Sequence, residues 1–265
     1  MVMNFVIFVT IIRNNRHKSV LSLQNYFNFN LNLTMKTISK IIVLVLLFAS
    51  TSFAQKGKWV KLFDGKTLTN WHVYNKAGQP ISDKWKVVDG VISYAGKAKG
   101  EKHGDDLVTD KEYENFVLEL DWKIAEGGNS GIFYGIHEDA KYNVPYLTAP
   151  EIQVLDNERH PDAKAGKNGN HKAGSLYDMI PSASVTKPAG VWNHVRIVKN
   201  NGEISIFQNG TLSVKYKSEG PEWEAMVANS KFKGWAGFGK FPKGNIGLQD
   251  HGDAVSFRKI RIKEL

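Results

Sequence analysis

Trp192-Asn-His-Val-Arg-Ile-Val-Lys199 is followed by Asn201-Gly202, Glu203-Ile-Ser-Ile-Phe-Gln208, Asn209-Gly210 and Thr211-Leu-Ser-Val-Lys-Tyr216. Val195 and Ile197 stand two apart with Arg196 between them in Val195-Arg-Ile197-Val-Lys199, the period of a half-buried strand. Each Asn-Gly pair suits the two central positions of a type I′ turn, where both residues need positive φ. Three strands joined by two tight hairpin turns therefore predict an all-β chain. Asp89-Gly90 repeats the device between Trp85–Val88 and Val91–Tyr94.

Outward from this stretch, further runs rich in Val, Ile, Phe, Trp and Tyr predict strands at Trp59–Phe63, Phe116–Lys123, Gly131–Ile136, Glu151–Leu155, Gly234–Phe238 and Val255–Lys263. One helix is expected, with Pro221 in its first turn and its end near Lys231–Gly234. The polar, Gly-rich stretch from Asn157 to Ser184 reads as a long loop, a length usually kept for function. About eleven strands in a single domain argue for a jelly-roll sandwich of two antiparallel sheets with one short helix. A closed barrel is the alternative.

The start of the chain reads differently. Met35 and Lys36 open a short basic segment, Ile41 to Phe48 is uninterrupted apolar sequence, and Ser52-Phe53-Ala54 supplies small residues ahead of Gln55. That order is the pattern of a secretory signal peptide over residues 35–54, with an apolar run too short to span a bilayer. Residues 1–34 read as an upstream extension, and residues 55–265 as the domain. The expected location is outside the cytoplasm, periplasmic or extracellular. The chain contains no cysteine, so neither a disulfide nor a lipidated cysteine is available. Five of its 35 basic residues and none of its 26 acidic residues fall in the first 54, so the formal charge of +9 drops to about +4 without them. A charge so modest and scattered does not predict nucleic-acid binding.

Glu151-Ile-Gln153-Val-Leu-Asp156 carries the first chemical signal. On a strand Glu151, Gln153 and Leu155 share a face. A β-bulge would swing Asp156 onto that face. Paired carboxylates on a sheet are a device of carbohydrate-cleaving enzymes; a half-exposed strand with ordinary polar residues is the plain alternative.

Several segments in order resemble the 3-keto-disaccharide hydrolase family: Trp59-Val-Lys-Leu-Phe63-Asp64-Gly65 with Asn70-Trp71, Gly128-Asn129-Ser130-Gly131-Ile132, the Glu151–Asp156 hexapeptide, His171-Lys-Ala-Gly174-Ser-Leu-Tyr177-Asp178, Gly247-Leu-Gln249-Asp250-His251-Gly252 and Phe257-Arg258. The resemblance implies a concanavalin A-like jelly roll and a carbohydrate substrate oxidised at C3. A ketone there acidifies the C2 proton, so a base can form an enolate and the C1 oxygen can leave by elimination. On that reading Glu151 is the expected base and Asp156 the acid, with His171 and His251 moving protons or polarising the carbonyl and Arg258 offsetting enolate charge. Asn129, Gln153, Tyr177, Gln249, Asp250 and Trp235 are expected to bind sugar. Tyr146 and Phe238 are further stacking candidates, with core use equally open. Trp122 and Trp192 read as core, and His72, His103, His137, His160 and His194 as structural or surface. Glu151, Asp156, His171 and His251 would suit a divalent metal ion acting as a Lewis acid, although no short metal motif is present.

The hexapeptide also resembles the Glu-x-Asp-x-x-Glu strand of laminarinase-type glucanases. Gln153 and Asp156 depart from that pattern and weaken a double-displacement mechanism, which needs two closely paired carboxyls. A retaining glucanase and a non-catalytic carbohydrate-binding module are the competing expectations.

Overall fold

The structure, a computed structural model, describes residues 57–98 and 104–265. The expected extension, signal peptide and His103 lie outside the described residues. Thirteen strands form: β1 (Val60–Lys61), β2 (Trp71–Val73), β3 (Trp85–Val88), β4 (Val91–Tyr94), β5 (Leu107–Thr109), β6 (Phe116–Ile124), β7 (Asn129–Ile136), β8 (Glu151–Leu155), β9 (Asn193–Asn200), β10 (Glu203–Gln208), β11 (Thr211–Lys217), β12 (Asn245–Leu248) and β13 (Val255–Glu264). Eight lie in one sheet, ordered β11-β10-β9-β6-β13-β4-β3 with β1 also on β13, and five in the other, ordered β2-β5-β12-β7-β8. These strands pair antiparallel throughout. This is the jelly-roll sandwich of two antiparallel sheets expected from the sequence.

The three predicted hairpins form with the backbone they require. Asp89-Gly90, Asn201-Gly202 and Asn209-Gly210 have φ of 51° and 75°, 47° and 77°, and 51° and 84°, as a type I′ turn demands. The inner faces of both sheets meet in one core that includes Phe116, Leu118, Leu120, Trp122, Ile132, Ile152, Val154, Ile197 and Phe257. Each such side chain contributes about 1.5–3 kcal/mol by leaving water.

Some elements differ from expectation. Gly234–Phe238 is not a strand but a pair of turns. Gly234 and Gly239 take φ of +81° and +64°, and the Gly239 amide is tied to the Thr148 carbonyl at 2.8 Å. Phe238 goes into the core and stacks on Phe232 with centroids 3.9 Å apart, which removes it as a sugar platform. Strands β2, β5 and β12 span three or four residues each, too short to display a period. The helix, α1 (Pro221–Ala228), stops before Lys231 and anchors Trp223 against Tyr216.

The long segment after β8 also does structural work. Gln153 donates its amide to the Ser175 carbonyl at 3.1 Å and accepts from the Gly174 amide at 2.8 Å, while the Tyr177 amide donates to the Glu151 carbonyl at 3.0 Å. The returning chain thus covers the exposed edge of β8, a position that would otherwise invite pairing with another strand. It also brings Tyr177 beside Glu151.

Candidate active site

On the five-stranded sheet Ile132, Ile152, Val154 and Leu248 point into the main core, whereas Phe133 and Val108 belong to a separate apolar cluster on the opposite face. Alternation along β7 and β8 puts Asn129, Gly131, Glu151 and Gln153 on that second face. A cleft of about 460 Å³ opens over it, lined by Asp106, Asn129, Tyr146, Glu151, Gln153 and Tyr177, with Lys231, Trp235, Gln249, Asp250 and His251 also on its wall.

Glu151 is 8 % exposed, and burial pushes its carboxyl up to about 8, against a lowering pull from the Lys231 ammonium. Its place depends on Gly131: a methyl on that residue would lie 2.7 Å from Glu151 Cδ and closer still to Oε1. Asp106, which the sequence did not single out, sits in the same cleft at 3 % exposure. Burial raises its carboxyl to about 7 although the Asp250 amide donates to it at 2.9 Å. Its signal was weak because it abuts a strand of only three residues. Lys231 was also missed, since it falls in a segment read as the end of a helix. Its ammonium lies 3.9 Å from the centre of the Tyr177 ring.

The remaining expected residues separate into cleft and support. Asn129, Gln153, Tyr177, Trp235, Gln249, Asp250 and His251 reach the cleft. The oxygens of Asp250 are taken by backbone amides: Gly104 and Asp105 at 3.1 Å each and Gly252 at 2.9 Å. Asp250 therefore clamps the cleft wall rather than offering itself to a ligand. His251 is half-exposed at the rim, 3.9 Å from Asp253 and edge-on to His160.

Asp156 is not on the cleft. No bulge interrupts β8, whose register against β7 runs unbroken from Glu151 to Leu155. Asp156 falls just past the strand and accepts from the Gly127 amide at 2.7 Å, the Glu158 amide at 3.1 Å and Arg159 at 3.3 Å. Burial works to raise its carboxyl, but those donors outweigh it and hold it below the ordinary value. Its place is that of a loop cap. Asp156→Ala should cost about 1–3 kcal/mol of stability by stranding those amides, with kcat per folded molecule unchanged, as chemical denaturation and active-site titration would read. A lowered carboxyl stabilises the fold at pH above its unfolded value near 3.8, and that contribution disappears as pH falls through the folded value.

His171 also stands behind the cleft. Nδ1 meets Asp162 Oδ1 and Nε2 meets Asp178 Oδ1, both at 2.8 Å. Asp162 Oδ2 accepts the Tyr177 hydroxyl at 3.0 Å. Burial, with the Asp162 charge, drives that phenol far above its usual range. His171 braces the residue that braces Tyr177. His171→Ala should lower kcat/KM by up to about a hundredfold through misplacement, leave the pH limbs in place, and be partly rescued by His171→Gln.

Glu151, Asp156, His171 and His251 therefore do not assemble into the set expected for a divalent metal ion. Among the described residues, no group of three or more His, Cys, Asp or Glu is placed to hold one. Arg258 lies elsewhere too, bound to Asp121 at 3.1 Å and stacked 4.0 Å from the Trp192 ring. Trp122 is core, while Trp192 is half-buried beneath that guanidinium. His72 is held between Asp110 and Glu138, His137 stacks on Phe241, His160 accepts from the Asp162 amide, and His194 meets Asp121 across the neighbouring strand. A second cavity of about 420 Å³ adjoins Lys199. That ammonium already donates to the Glu114 and Pro242 carbonyls at 2.9 and 2.7 Å.

Residues 58–263 match the family model of the 3-keto-alpha-glucoside-1,2-lyase-like domain. The chain belongs to this family. It is 40% identical over 229 residues to the 3-keto-disaccharide hydrolase of Bacteroides thetaiotaomicron, an alignment covering 78% of each chain. Two crystal structures from Parabacteroides distasonis, each described as a "putative glycosyl hydrolase", are also similar. One has a TM-score of 0.69 at 33% identity, covering 79% of this chain and 94% of its own. The other has a TM-score of 0.58 at 30% identity, covering 78% and 100%. The family member described here is a glycosidase-type hydrolase.

Proposed function

We propose that this chain cleaves 3-keto-glycosides, including 3-keto-disaccharides, by acid/base-assisted elimination followed by hydration. The observation that carries the reading is the pairing of two buried carboxyls, Glu151 and Asp106, raised to about 8 and about 7 in one cleft. Two acids whose burial holds a proton near neutral pH can supply one base and one acid at once.

In this mechanism Glu151 removes the proton from C2 and the electron pair moves onto the C3 oxygen as an enolate. The Lys231 ammonium offsets that charge, the part expected of Arg258. The enolate collapses, the C1–O bond breaks, and Asp106 protonates the departing oxygen, the part expected of Asp156. Water then adds at C1 and a proton returns to C2, giving the free 3-keto sugar. His251 exchanges protons with solvent at the rim, and Tyr146 and Trp235, with ring centres 6.0 Å apart, pack on the sugar. Asp156 lies off the cleft, so the Glu151–Asp156 pair that the glucanase-like hexapeptide suggested does not face a substrate there.

The signal-like segment at 35–54 supports an extracytoplasmic location, and among the described residues no helix is long and apolar enough to cross a membrane. The function is tested by incubating purified protein with a 3-keto-disaccharide and with its unoxidised parent. Release of 3-keto-hexose from the first alone supports the reading; cleavage of the parent at equal rate, or of neither, refutes it.

A further inference from the structure

Asn129, Gln153 and Gln249 stand on or next to three neighbouring strands, β7, β8 and β12. Each side-chain carbonyl oxygen is buried without a hydrogen-bond partner among the described residues, and all three residues line the cleft. The Gln153 amide nitrogen is directed to Asp162 Oδ2 at 3.5 Å, leaving its oxygen as the group still to be satisfied. An unpaired buried acceptor destabilises the protein that holds it. Three on one floor describe a surface prepared for a ligand that brings neutral donors.

We propose that these carbonyls receive the free hydroxyls of the sugar ring that carries the ketone, so the cleft accepts only an unsubstituted terminal unit. The inference rests on the glycoside reading above. A hexopyranoside oxidised at C3 and linked through C1 retains three hydroxyls, at C2, C4 and C6, which matches three acceptors. A sugar inside a glycan carries its next residue on one of those oxygens and would leave an acceptor unpaired. The enzyme therefore acts from glycan ends.

The test compares methyl 3-keto-glucopyranoside with its 4-deoxy, 6-deoxy and 4-O-methyl counterparts. Each change should lower kcat/KM roughly tenfold or more, since a site built to bond a hydroxyl rejects the analogue lacking it. Among Asn129→Leu, Gln153→Met and Gln249→Met, one variant should lose the discrimination at C4 and another that at C6. Gln249→Met should also have a Tm no lower than the parent, because it removes an unpaired acceptor. Equal turnover of all four glycosides by the unaltered enzyme overturns the proposal while leaving the proposed function intact. A Tm rise with calcium, magnesium or manganese chloride alone, abolished by each amide substitution, also overturns it by assigning the carbonyls to a cation. If no 3-keto-glycoside is cleaved, the function fails first, and calorimetry with the unoxidised methyl glycoside and its deoxy forms decides: selective loss of binding sustains the hydroxyl receptor, and uniform binding or none refutes it.

Discussion

Glu151→Gln should lower kcat on a 3-keto-glycoside by about 10²–10⁴-fold, the usual contribution of a positioned base, while KM changes little. Gln keeps the shape and cannot take the C2 proton. The variant separates the two acids. Without Glu151, exchange of the C2 proton with solvent should stop. In Asp106→Asn exchange should continue while release of the leaving group slows. The free enzyme should show a bell-shaped kcat/KM whose limbs lie near 7 and 8, the values to which burial raises Asp106 and Glu151. Those limbs belong to the coupled pair, and the working form is the minor singly protonated one, with Glu151 ionised and the proton on Asp106.

The same substitution should make the protein more stable. A carboxyl whose folded value is raised holds its proton more tightly when folded, so stability falls with rising pH from its unfolded value toward its folded one. For Glu151 that window runs from about 4.5 to about 8. Thermal unfolding should show a higher Tm near pH 5 than near pH 8.5, and Glu151→Gln should flatten much of that slope. One titrating group would then shape both the pH profile of activity and the alkaline loss of stability.

Gly131→Ala should produce the second large effect. Gly131 lies opposite Gln153 in the β7–β8 ladder, and its missing side chain is the space that the Glu151 carboxyl occupies. An added methyl forces Glu151 off its rotamer or the two strands apart. Overpacking of this kind costs about 1–3 kcal/mol, and displacing the base by about 1 Å costs about a hundredfold in rate. Full activity with unchanged stability in this variant would mean that Glu151 does not work from the position described.

The sandwich was legible because its signals are local. Asn201-Gly202 and Asn209-Gly210 fix hairpins within a few residues, and the alternation at Val195–Lys199 reappears as buried and exposed positions along β9. The short strands of the site-bearing sheet were not legible, because β2, β5 and β12 form only when longer neighbours supply partners. The site was partly visible in the same way. Glu151 and Gln153 share a strand, so their common face follows from period two. Asp156 was misplaced because a bulge cannot be read from the residues, and the Gly127 and Glu158 amides capture its carboxyl instead. Asp106 and Lys231 reach the cleft from distant segments. Nothing adjacent to either in the chain announces that folding places them near Glu151.

The most direct measurement of the mechanism is NMR of the product formed in D₂O. If Glu151 abstracts the C2 proton and hydration later restores one, the released 3-keto sugar carries deuterium at C2 from the earliest times, ahead of exchange in a product-only control, and Glu151→Gln releases none. Product that retains its original C2 hydrogen through complete turnover would contradict elimination and require direct displacement at C1.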